Sequence, residues 1–102
     1  MKSAFYYDPV LGLSVILDPR AIKNFSLDWG TERLAVGDSL VSSSWTLDPA
    51  LTKVSQSIDT NAGITTVQIS CAVPGNYVAT NVVVTNQITD VWSFVVQVRE
   101  VV

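Results

Sequence analysis

From Ile22 onward the chain alternates apolar and polar positions with a period of two, the spacing of half-buried strands. Phe25, Leu27 and Trp29 alternate with Ser26 and Asp28. The run 39–46 alternates with Val41 and Trp45 on one face. Val54, Gln56 and Ile58 mark a shorter strand, and Ile64 to Cys71 places Thr65, Val67, Ile69 and Cys71 on one side. The two longest runs, 75–85 and 91–99, close the chain. Turn signals separate them: Gly30-Thr31, Gly37-Asp38, Asp48-Pro49, Asp59 to Gly63 and Pro74-Gly75. No stretch sustains a period of 3.6 with helix caps. The pattern predicts an all-β domain of about seven strands at the spacing of a sandwich.

The run Gly75-Asn76-Tyr77-Val78-Ala79 has the local shape of a tyrosine corner, in which a Tyr near the start of the penultimate strand bonds back to the preceding loop. The expected fold is therefore an immunoglobulin-like antiparallel β-sandwich, with the Tyr77 hydroxyl on backbone near 73–75. Its predicted core holds Trp29, Trp45, Tyr77, Phe94 and Val96. From the corner, parity directs Tyr77, Ala79, Asn81 and Val83 inward. Val78, Val82 and Val84 then face outward, where a sheet is ordinarily wet. Two readings are open: the parity switches at a bulge, or a neighbouring subunit covers this stripe.

Residues 1–21 differ from the rest. Phe5-Tyr6-Tyr7 and the aliphatic run 10–17 are separated by Asp8-Pro9, and Asp18-Pro19 ends the segment. A residue before proline is pushed out of the helical region, so each Asp-Pro imposes an extended kink or a turn. This segment reads as an extended N-terminal arm with one short strand near 12–17, ahead of a sandwich domain at 22–102. The density of Phe5, Tyr6, Tyr7, Leu11, Leu13 and Ile16 points to a partner interface, with Val78, Val82 and Val84 as its second half. The alternative is an edge strand of the sandwich itself. On the first reading, a chain lacking residues 1–17 folds but fails to assemble.

Composition narrows function. Charged residues are 15% of the 102, low against a typical ~25%, which leaves either surface covered by other protein or surface dressed in Ser, Thr, Asn and Gln. The six bases are scattered among nine acids, so no patch suits a phosphate backbone, and nucleic-acid binding is not expected. The run 10–17 is too short to span a bilayer, and Asp8 before it argues against a secretion signal. Cys71 is the one cysteine and reads as a small buried hydrophobe. With no histidine in the chain, the usual base of a nucleophile–base pair is missing, and no phosphate-loop, zinc or EF-hand spacing occurs. The expectation is a protein without catalysis, cofactor, metal or small-molecule substrate. Trp29, Trp45 and Trp92 could form a sugar platform, but at strand positions they read better as core or interface anchors.

Phe25-Ser26-Leu27-Asp28-Trp29 after Asp18-Pro19, then Gly37-Asp38-Ser39-Leu40-Val41-Ser42-Ser43-Ser44-Trp45, resembles the opening of small immunoglobulin-like structural proteins of tailed bacteriophages. Thr65 to Ile69, Gly75 to Thr85 and Ser93 to Arg99 are similar to later strands of the same family, with Ala79 where a larger aliphatic is common. The resemblance, over residues 18–99, implies a virion protein assembled in the host cytoplasm. It would be an adaptor joining tail, neck or fiber components, with those proteins and copies of itself as partners. A capsid decoration protein is the alternative in the same class. A carbohydrate- or receptor-binding module using Trp45, Asn61 and Asn76 is the alternative from another.

Overall fold

The computed structural model describes residues 4–100; positions 1–3 of the expected arm and 101–102 of the expected sandwich lie outside the described residues. Among the described residues eight strands run in chain order: β1 Tyr6–Asp8, β2 Gly12–Leu17, β3 Ile22–Asp28, β4 Leu40–Leu47, β5 Thr52–Asp59, β6 Ile64–Ser70, β7 Gly75–Thr85 and β8 Thr89–Val98. One helical turn, α1 Trp29–Glu32, follows β3, capped by the Asp28 carboxylate accepting from the Thr31 N–H. The strands form two sheets, ordered β1-β2-β8-β7-β4 and β3-β6-β5. This is the immunoglobulin-like arrangement, with β3, β6 and β5 as one layer and β4, β7 and β8 as the other.

The arrangement is not wholly antiparallel. β2 pairs parallel to β8, from Ser14 opposite Val95 to Leu17 opposite Val98. The segment read as an arm therefore carries its expected strand, and that strand is bonded into the larger sheet. β1 folds back on β2 as a hairpin, with Tyr6 opposite Ser14 and Asp8 opposite Gly12. Val15 and Leu17 are fully buried in the shared core. A chain lacking residues 1–17 would lose both side chains and the β2 ladder, so the truncation is expected to lower the stability of the sandwich as well as to affect assembly.

Alternation fills the core as predicted along β6, β7 and β8: Val67, Ile69, Ala79, Val83, Phe94, Val96 and Val98 are all buried. Trp29 and Trp45 join them, while Tyr77 is only half-buried. Phe94 is the hub, with the rings of Phe5, Phe25 and Trp45 at centroid distances of 5.0, 6.1 and 5.9 Å. Along β4 the expected parity fails. The β4–β7 register shifts between Leu40 and Ser42, so Val41 is an extra residue in the ladder. Leu40 is buried and Val41 is exposed, on the opposite side to Trp45.

The tyrosine corner is present. The Tyr77 hydroxyl donates toward the carbonyls of Val73 and Pro74, at 3.0 and 3.2 Å. A Cβ on Gly75 would stand 2.8 Å from that hydroxyl oxygen, so glycine is what lets the ring lie back over the loop. Tyr77→Phe is expected to lower stability by about 1 kcal/mol, the net value of one hydrogen bond. Gly75→Ala displaces the same ring, so in chemical denaturation the double variant should cost clearly less than the two singles added together.

Candidate interaction faces

The β7–β8 ladder is unbroken from Gly75 opposite Val98 to Val84 opposite Thr89. No bulge reverses its parity, so Val78, Val82 and Val84 do lie on the outer face. The register sets Val78 beside Val95 and Val82 beside Val91, with the Thr80 and Ser93 hydroxyls 2.9 Å apart between these pairs. Val78, Val84 and Val91 are 48%, 41% and 49% exposed, and Val82 and Val95 are half-buried. On the β4 side, Ser42, Ser44 and Thr46 stand opposite Val84, Val82 and Thr80. The outcome is an aliphatic stripe two strands wide, bordered by hydroxyls.

Val91 and Val95 belong to this stripe but were not among the expected interface residues. Alternation along β8 already put Val95 outward. The short 86–88 connection, which makes Val84 face Thr89, was the signal that would have paired both residues with the valines of β7.

The hairpin residues divide between two faces. Tyr6 lies opposite Ser14, which lies opposite Val95, which lies opposite Val78, so one outer row crosses four strands. Ile16, opposite Gln97, is on the same face. Both Tyr6 and Ile16 are half-buried. Phe5, Tyr7 and Leu13 turn to the inner side. Phe5 packs edge-on against Phe94, Leu13 rests on the core, and Tyr7 is 81% exposed. Leu11 sits half-buried in the turn between the two strands. That turn is held by Asp8, whose Oδ1 accepts from the N–H groups of Val10 and Leu11 at 2.8 and 3.0 Å. These bonds hold its carboxyl below the ordinary value, helped by the Gln97 side-chain amide on Oδ2. The six residues expected in the arm thus do not form one patch.

The inner group lines an open cleft of about 400 Å³ between the hairpin and β3, with Phe5, Tyr7, Leu13, Glu32 and Trp92 on its walls. The Arg33 guanidinium covers Trp92 at 4.4 Å from the ring centroid. Trp29 and Trp45 are enclosed, so the three tryptophans do not make a stacking platform. Among the described residues no cluster of three or more Cys, Asp or Glu side chains stands where it could hold a metal ion. Among the same described residues no helix is long and apolar enough to cross a membrane.

Comparison with known proteins decides the family. Residues 17–97 match the model of the family described as Gp77, the podophage GP4 fiber-tail adaptor protein gp77. The chain belongs to this family. It is thereby a structural protein of the phage virion type, as the resemblance in its strands implied. No curated protein sequence matches it significantly. Among solved structures, the cysteine protease inhibitor EhICP2 from Entamoeba histolytica shares the fold. It has a TM-score of 0.54, 9% sequence identity, and coverage of 84% of this chain and 85% of that one. At that identity the likeness is one of architecture alone.

Proposed function

We propose that this fiber–tail adaptor family member acts without turnover, as a coupling piece that seats its outer β7–β8 face on a neighbouring tail or fiber protein. The observation that carries the reading is the valine stripe. A free sheet face ordinarily alternates apolar-in and polar-out, and here the outward positions of β7 are aliphatic along most of their length. Tyr6 and Ile16 extend the stripe across the sheet, so the hairpin contributes to the same contact. Burial of this apolar area, ringed by Ser and Thr hydroxyls that bond at the rim, supplies both affinity and orientation. The site of action is the assembled particle, with assembly in the host cytoplasm.

The test is a Val78→Asp/Val84→Asp variant in the phage. Both positions are outward and two-fifths or more exposed, so the isolated variant should melt close to the wild type. Particles carrying it should lack this protein, or lack the fibers it couples, by mass spectrometry and electron microscopy. Normal incorporation and infectivity would move the contact off this face.

A further inference from the structure

The cleft of about 400 Å³ between the β1–β2 hairpin and β3 sets aromatic rings beside acids: Phe5, Tyr7 and Trp92 line it together with Asp28 and Glu32. Tyr7 is 81% exposed, a large ring that the fold leaves in water. The Glu32 carboxylate makes no hydrogen bond or ion pair among the described residues, although Arg33 is next in the chain. Asp28 spends Oδ1 on the Thr31 N–H, and its Oδ2 accepts no bond from the described residues. We propose that this cleft is a second docking site, and that its occupant is an arginine side chain presented by a neighbouring virion protein.

Charge selects that occupant. A neutral ligand, a sugar or an apolar side chain, would cover two carboxylates without compensating their charge, and that desolvation is costly. An acidic segment would be repelled. A cation offsets both acids, and the electron-rich faces of the rings attract it as well. Trp92 already holds one: the Arg33 guanidinium sits 4.4 Å from its ring centroid, and 5.9 Å from that of Trp29. Arg33 is thus turned to the tryptophans and is not in ion-pair range of either acid, which leaves their charge for a cation from outside. Arginine fits better than lysine, because a planar guanidinium can stack on a ring while its edge donates to a carboxylate. Phe5 and Leu13, packed against the core, give an apolar bed for the methylene stem. The virion role of the family supplies the class of partner. The cleft lies on the inner side of the hairpin, away from the outer face with the valine stripe, so the two contacts hold or fail independently.

The test is a titration of the full chain with the tripeptide acetyl-Gly-Arg-Gly-amide, followed by nitrogen–proton NMR. The Trp92 indole N–H and the Glu32 amide should shift saturably, while the matching glutamate tripeptide should move neither. Tyr7→Ala removes one exposed ring, so it should melt like the wild type yet bind the arginine peptide about two- to fivefold more weakly. Glu32→Lys, also at an exposed position, should weaken binding by about five- to tenfold, since attraction becomes repulsion. Val78→Asp/Val84→Asp should bind the peptide as the wild type does, which separates this contact from the valine face. In the phage, Glu32→Lys should lower the number of copies per particle, and selected revertants should replace an arginine of another virion protein. Equal shifts with the two peptides, shifts confined to residues outside the cleft, or Glu32→Lys particles of normal composition would overturn the proposal. So would saturable shifts with methyl glucoside and none with the arginine peptide, since the cleft would then be a sugar site.

Discussion

Phe94→Ala is expected to cost about 3–5 kcal/mol, the range for deleting a large buried aromatic. Three rings from separate elements converge on it: Phe5 ahead of β1, Phe25 of β3 and Trp45 of β4. Those elements lie in both sheets, so surrounding side chains cannot collapse into the vacated space without moving the layers relative to each other. A domain of this size has a total stability of roughly 5–15 kcal/mol, so the variant should sit near the edge of folding at physiological temperature. Urea unfolding should show a lower midpoint with an unchanged slope. Amide exchange in β1 and β2 should rise more than the global loss accounts for, because Phe5 loses its edge-on partner and the hairpin its anchor. A cost under about 1 kcal/mol would mean that the aromatic cluster is not the hub of the core.

The second large effect is expected at Asn81, a fully buried amide between the sheets. Its Oδ1 accepts from the Trp29 indole N–H at 2.9 Å and the Thr65 hydroxyl at 2.6 Å. Its Nδ2 donates to the Ser43 hydroxyl at 2.8 Å and the Ser44 carbonyl at 2.9 Å. The amide thus has all four bonding positions occupied, pinning β4 and β7 of one sheet to β6 and the α1 turn of the other. Asn81→Leu keeps the approximate volume and removes every bond, and should cost on the order of 3 kcal/mol. The loss comes from stranded partners more than from the bonds themselves, since the Thr65 hydroxyl and the Trp29 indole N–H are fully buried. Trp29→Phe in the Asn81→Leu background should therefore cost less than Trp29→Phe alone. Additive losses in that cycle would show that the two side chains act separately.

Alternation in the amino-acid sequence was enough to place most strands, because a sheet with one dry face needs apolar side chains at every second position. β6 and β8 read directly from Thr65, Val67, Ile69 and Cys71 and from Phe94, Val96 and Val98. The corner was legible too, since Gly75 and Tyr77 are close in the chain and their contact is local. The outward valines of β7 followed from the same parity. Three features depended on contacts between distant segments. Whether residues 10–17 form a detached arm or a strand of the sheet turned on the parallel pairing with β8, some 80 positions away. The face taken by Val41 turned on a bulge in the β4–β7 ladder, and one extra residue inverts everything beyond it. The aliphatic stripe became a surface only when register set Val91 and Val95 beside Val82 and Val78. Asn81 shows the division most plainly. Parity along its own strand sends it inward, but the partners that make a buried amide tolerable come from three other elements, and only folding brings them within reach.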